Sequence, residues 1–366
     1  MLLFGKVKNM AHDDIADNAV STPLISTSVA PTVDDETRPA SLPDGTAFER
    51  NCSVGRTVSI IGDGWTFMIL RECYFRVHRF QDFQQILGVP KGTLASRLRS
   101  LIDQQLLTKV KYSDTPSRFE YRLTERGLDL YKVMLALMRF GDKWLTGEPQ
   151  QPVRLHHVTC NHESHPFVGC PHCRQEIHAR EVSYRDGPGA GWQEVSNAPR
   201  PRKSADPLLL ERRRPSSVAR ALRVIGDRWG FMVAREAFFK VRRFDKIQSR
   251  LGIAPNILTN RLNHFVENDI FRKVQYQTNP DRYEYRLTDK GRDLFGPFMA
   301  MLAWGDRWLS NGQPPLLLTH STCGHDFVPQ VMCDHCRNEI RASDMRYKMA
   351  YVNPIGENRS PALEAE

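Results

Sequence analysis

The chain has 366 residues and a formal net charge of +9, enough length for two or three domains with cores of their own. No apolar run is long enough to cross a membrane, and the short apolar stretch after Met1 is too brief for a secretory signal. Six of the eight cysteines fall in two metal-type clusters, leaving Cys52 and Cys73, which argues for a reducing cytoplasm and against a disulfide framework.

Residues 1–48 are rich in Asp, Ser, Thr, Ala and Pro and follow no helical or strand period, so they read as a disordered leader. It is acidic: the first 51 residues carry 4 Lys/Arg against 8 Asp/Glu. A first module spans 49–148. Val54–Ile61 and Trp65–Phe75 have helical apolar spacing and are interrupted at Gly62. Phe80–Leu87 is a short helix that stops at Gly88. A further helix starts near Pro90, a favoured first-turn residue, and runs to about Gln105 with Leu94, Leu98, Leu101 and Ile102 on one stripe. Leu106–Tyr112 and Arg118–Leu123 alternate like strands around a turn-forming segment. Thr124 caps a last long helix reaching Trp144, whose apolar stretch from Val133 is a packing face.

Residues 149–185 form a small cysteine unit, His157-x2-Cys160-x9-Cys170-x2-Cys173. Residues 186–212 read as a linker, with Gly187-Pro188-Gly189, a basic Pro-rich run, and Leu208, Leu209 and Leu210 docking locally. Then the plan repeats. Residues 216–311 align with 52–147 without a gap at an offset of 164, with roughly two residues in five identical. The second module spans 213–312 and the second cysteine unit 313–353, with His320-x2-Cys323-x9-Cys333-x2-Cys336; 354–366 is a loose tail. The modules are basic, with 15 Lys/Arg against 9 Asp/Glu in 52–147 and 17 against 10 in 216–311. Such a balance suits a polyanionic partner.

Two short helices meeting at a tight turn and followed by a hairpin describe a winged helix-turn-helix. The helix Lys91–Gln105, or Pro255–Asn268, would enter the major groove and the hairpin would be the wing. The fold class is mainly α with small β-wings (α+β): two winged helix-turn-helix domains, each followed by a zinc-ribbon-like unit.

Thiolates with one imidazole suit Zn²⁺, and two ligand-x2-ligand knuckles can wrap a tetrahedral cation. The expected sets are His157, Cys160, Cys170 and Cys173 in one unit and His320, Cys323, Cys333 and Cys336 in the other, with His162 and His325 as alternative fourth ligands. About two Zn²⁺ per chain follow, each closed by four ligands and therefore structural. An enzyme would need an open metal position and a nearby base, and the sequence offers neither.

Several motifs together resemble the HxlR-type winged helix regulators: Ile61-Gly62-Asp63-x-Trp65, Arg79-Phe80, Leu94-x2-Arg97-Leu98 and Arg118-x-Glu120-Tyr121-x-Leu123-Thr124-x2-Gly127, with counterparts from Ile225 to Gly291. The resemblance implies bacterial transcriptional regulators that bind DNA as dimers of one module per chain, whereas here two modules share a chain. It also implies a cytoplasmic, nucleoid-associated protein, and a thiol sensor role for a cysteine at the position of Cys52. A buried, merely tolerated cysteine is the alternative, and Ser216 stands at that place in the second copy.

With the leucines inward, Lys91, Thr93, Ser96 and Arg99 face outward in the first reading helix, and Asn256, Asn260 and Asn263 in the second. Arg can pair with guanine and Asn with adenine in the major groove. Arg97 and Arg261 flank these faces and serve either phosphate or a carboxylate that locks the helix. Arg118 and Arg282 on the wings suit phosphate or the minor groove, unless Glu120 and Glu284 neutralise them. The resulting reading is a sequence-specific regulator of double-stranded DNA acting as an intramolecular pseudo-dimer, with no membrane partner; further dimerisation and any effector stay open. The alternative is a zinc-ribbon adaptor for protein partners with weak or nonspecific DNA binding.

Overall fold

The computed structural model describes residues 48–115, 117–194 and 214–351. The leader up to residue 47, the linker from 195 to 213 with Leu208–Leu210, Pro116 in the wing turn and the tail from 352 lie outside the described residues.

In the first half, β1 (Phe48–Arg50) leads into α1 (Ser53–Ile61), α2 (Gly64–Tyr74), α3 (Phe80–Leu87) and α4 (Lys91–Asp103). The wing strands β2 (Leu107–Ser113) and β3 (Arg118–Leu123) pair antiparallel. Then come α5 (Glu125–Asp129) and α6 (Tyr131–Trp144). Side chains start the helices. Cys52 Sγ accepts from Gly55 N at the head of α1, Asp63 from Thr66 N at α2, and Thr124 from Gly127 N at α5. The last helix was expected to run unbroken from Thr124; instead Thr124 caps only the short α5, and α6 starts anew after Leu130. Gly88 ends α3 at φ 63°, a left-handed turn that glycine adopts without a Cβ clash, and this turn sets α4 across α2.

The second half follows the same plan. It comprises α7 (Ser217–Ile225), α8 (Arg228–Phe238), α9 (Phe244–Leu251), α10 (Pro255–Glu267), the wing β9 (Phe271–Thr278) and β10 (Asp281–Leu287), α11 (Asp289–Asp293) and α12 (Phe295–Leu309). Ser216 caps α7 as Cys52 caps α1, with Oγ accepting from Ala219 N.

The halves are joined crosswise. The first helix of each lies on the last helix of the other, α1 on α12 and α7 on α6, and α6 also meets α12. Glycine makes this approach close: a Cβ on Gly141 would stand 2.2 Å from the Ser217 carbonyl oxygen, and one on Gly305 2.5 Å from that of Ser53. One continuous apolar core results, running from Val58 and Phe67 through Leu137 and Phe140 to Val224 and Met301.

The cysteine segments are joined in the same way. The first contributes β4 (Val153–His157), β5 (His162–Ser164), β6 (Phe167–Gly169) and β7 (Val182–Asp186), and the second β11 (Leu316–His320), β12 (His325–Phe327), β13 (Gln330–Met332) and β14 (Met345–Met349). β4 pairs with β14, β11 with β7, and β13 with β6, so each small sheet takes strands from both segments. Part of the expected linker is also ordered: Gly187 and Gly189 bond to the backbone of Pro315 and Pro314, and β8 (Trp192–Glu194) pairs with β1.

Candidate nucleic-acid interface and metal centres

On α4, Leu94, Leu98 and Leu101 are buried while Lys91, Ser96 and Arg99 are exposed and Thr93 is half-buried. On α10, Leu258, Leu262 and Phe265 face inward and Asn256, Asn260 and Asn263 outward. The period of the apolar stripe thus leaves on each helix a polar outer face free of the core. Arg97 and Arg261 take the other course open to them. Arg97 Nε donates to Asp63 at 2.7 Å and Arg261 Nη2 to Asp227 at 2.6 Å. Because the same carboxylates cap α2 and α8, each ion pair ties α4 to α2 or α10 to α8. Of the two roles left open for these residues, the carboxylate lock is the one seen here.

Arg118 and Arg282 are exposed on the wings. The carboxylates that could have neutralised them are occupied: Glu120 by Arg79 and Arg122, and Glu284 by Arg286. Further cations lie against wing rings without having been singled out for DNA: Arg79 and Arg243, which precede α3 and α9, over Tyr112 and Tyr276, and Lys109 and Lys273 on the wings, over Phe119 and Tyr283. Their signal was retention of the basic residue and its ring in both copies.

The metal-type side chains converge in two groups of four, but not as expected. His157 and Cys160 meet Cys333 and Cys336, and Cys170 and Cys173 meet His320 and Cys323. Each group therefore takes two residues from either half, which corrects the expectation of one complete set per unit. The cause is the strand exchange, since β4 and β13 bring their own knuckles beside the other segment's. In the first group, His157 Nδ1 lies 3.3 Å from Cys160 Sγ and 3.5 Å from Cys336 Sγ, and Cys160 Sγ 3.8 Å from Cys333 Sγ. In the second, Cys170 and Cys323 are 3.8 Å apart and Cys173 lies 3.3 Å from His320 Nδ1. A tetrahedron with metal–sulfur bonds of about 2.3 Å has sulfur–sulfur edges of about 3.8 Å, so donors and spacing both suit a thiophilic divalent ion. His162 stacks on His335 and His325 on His172 at the margin of these groups. Cys160, His162 and His335 also converge, but with three donors, a shared cysteine and two exposed rings.

The joint between halves carries chemistry that the sequence reading missed. Ser217 Oγ donates to Asp142, and Ser53 Oγ to Asp306. Burial pushes both carboxyls up to about 6, against the opposing pull of the serine hydroxyls. The Trp144 indole donates to Asp293 and that of Trp308 to Asp129, again across the joint. The clue was the Gly-Asp-x-Trp string at 141–144 and 305–308.

A model of the HxlR-like helix-turn-helix family matches residues 60–149 and 224–313, one match per module. The HTH-type transcriptional regulator Rv3095 of Mycobacterium tuberculosis, itself uncharacterised, is 45% identical over 137 residues, which are 37% of this chain and 87% of that protein. The chain belongs to the HxlR-like family. A second relative, the regulator sll1512 of a Synechocystis strain, is 31% identical over 98 residues, 26% of this chain and 73% of that protein. Among solved structures, diamide-treated YodB from Bacillus subtilis is 28% identical and covers 24% of this chain and 88% of its own, at a TM-score of 0.22. The family and these relatives are helix-turn-helix transcriptional regulators rather than enzymes, so the HxlR-like modules are DNA-binding modules. Among the described residues no helix is long and apolar enough to cross a membrane.

Proposed function

We propose that the chain is a sequence-specific, cytoplasmic and nucleoid-associated transcriptional regulator that reads double-stranded DNA as an intramolecular pseudo-dimer, with two Zn²⁺ holding its halves together. The observation that carries this reading is the reciprocal packing of α1 on α12 and α7 on α6. Such packing would hold two reading helices in one frame, the arrangement that a two-fold regulator otherwise assembles from two chains.

In this reading Lys91, Thr93, Ser96 and Arg99 meet one half-site and Asn256, Asn260 and Asn263 the other. Arg118 and Arg282 meet the backbone or minor groove beside them. The zinc ions take the crossed sets, His157, Cys160, Cys333 and Cys336, and Cys170, Cys173, His320 and Cys323. They are structural, because four protein ligands leave no position for substrate. Cys52, 6% exposed and occupied as a helix cap, serves the fold as Ser216 does.

Footprinting with the full chain is the test. Protection of two neighbouring major grooves about one helical turn apart, surviving moderate salt, is expected. Diffuse protection that collapses with salt would favour the adaptor reading. Metal analysis should find about two Zn²⁺ per chain.

A further inference from the structure

Each half buries a charged cluster. Glu72 on α2 is fully buried and accepts from Arg71 and from Arg214 of the other half. Glu236 on α8 is equally buried and accepts from Arg235 and Arg250. In each place two guanidinium groups converge on one buried carboxylate.

Arg71 and Arg235 do not use all their donors. In each, Nε and Nη2 go to the neighbouring glutamate, while Nη1 is buried and has no hydrogen-bond partner among the described residues, although the Cys52 side chain lies against the Arg235 guanidinium where Arg71 has no such neighbour. The two side chains lie in residues only 5% and 7% exposed. A charged donor left unpaired in such a place is costly, which makes the spot a strong one for an acceptor.

Both arginines line a small apolar cavity. That of Arg71 is about 50 Å³, walled by Tyr74, Met138, Leu155, Val218 and Tyr347. That of Arg235 is about 60 Å³, walled by Phe238, Leu302, Leu318, Val54 and Tyr184. Most wall positions correspond under the repeat, with Ser216 in one where Cys52 stands in the other. A water-sized group needs roughly 10–15 Å³ by this measure, so each cavity takes a few such groups. Apolar walls with a buried guanidinium nitrogen among them select a particular chemistry.

We propose that each half carries a binding site for a small monocarboxylate with a short apolar chain, its oxygen accepting from Nη1 of Arg71 or Arg235 and its chain lying on the apolar wall. The occupant would touch three parts at once: the helix under the reading helix (α2 or α8), the first helix of the other half (α7 or α1), and the crossed sheets. Such a site is placed to couple a small acid to the joint between the halves.

The test needs no DNA, so its outcome is independent of the regulator reading. The zinc-loaded full chain is titrated with sodium acetate, butyrate and benzoate at constant ionic strength, with sodium chloride as the control anion, and binding is read by calorimetry and melting temperature. Saturable binding at two sites per chain is expected, tighter for butyrate than for acetate and absent with chloride. Met138→Trp and Leu316→Trp fill one cavity each from its wall and leave the Arg–Glu pairs intact. Each should weaken binding at its own site by at least roughly tenfold, the effect of losing a hydrogen bond to a charged group. If a filled variant does not fold, the carboxylate-over-chloride preference of the unaltered chain decides alone. No saturable carboxylate binding, binding matched by chloride, or binding unchanged in both folded variants would overturn the proposal.

Discussion

The outer faces of α4 and α10 differ where the joint between the halves does not. Thr93, Ser96 and Arg99 stand on one helix where Ile257, Asn260 and Asn263 stand on the other. Behind these faces the pairs Asp63–Arg97 and Asp227–Arg261 match. So do Asp142–Ser217 and Asp306–Ser53, Trp144–Asp293 and Trp308–Asp129, and the two metal groups. The helix faces proposed to read bases have diverged between the copies, whereas the pairs that join the two halves are kept.

The largest effects are expected at the metal groups. Because each centre is shared, Cys170→Ser with Cys323→Ser should leave about one zinc per chain, as either single change does. Cys160→Ser with Cys170→Ser should remove both ions and cost on the order of several kcal/mol of stability. Centres built within one copy would give the reverse pattern in metal analysis. A smaller loss is expected at the helix crossing. Gly141→Ala or Gly305→Ala forces a Cβ onto a backbone carbonyl of the other half and should cost about 1–3 kcal/mol in denaturant unfolding. Gly92→Ala, with nothing within 4 Å of its Cβ, is the control and should be neutral or mildly stabilising.

The joint should also be sensitive to pH. Asp142 and Asp306 have folded-state values raised to about 6 by burial, above their unfolded values. The folded chain then holds more protons than the unfolded one between about pH 4 and 6, so this contribution is fully present below that window and is lost as pH rises through 6. Asp142→Asn and Asp306→Asn should flatten that slope, by about 1–3 kcal/mol across the window for each site. The gentlest change is on the wings. Arg118→Ala and Arg282→Ala should weaken binding to all sequences alike and lower the salt slope by about 1 each.

The helices, wings and caps were legible in the sequence because local signals specify them: the Leu94–Leu98–Leu101 stripe, Gly88 after α3, and Thr124 before α5. The eight ligand-type residues were legible from spacing, but their partition was not. His157-x2-Cys160 and Cys170-x2-Cys173 look like one site along the chain, and only the pairing of β4 with β14 and β7 with β11 sends them to different ones. Strand exchange between repeats leaves no local mark, since both copies present the same edges. Arg97 and Arg261 were ambiguous for a related reason: a cation flanking a reading helix suits phosphate as well as a carboxylate 34 residues back in the chain. The paired arginines of α2 and α8 escaped notice because a buried guanidinium has the same sequence signature as an exposed one.

One chain is proposed to present two unlike readers in a fixed frame. Selection of binding sites from random DNA, with the stoichiometry of the selected complex, tests it most directly. One chain per site is expected, with two half-sites of different sequence about one helical turn apart. Arg99→Ala should relax preference in one half-site only and Asn260→Ala in the other only, each at a cost of about 1–3 kcal/mol. A perfect palindrome bound by two chains, with both variants affecting both half-sites equally, would contradict it.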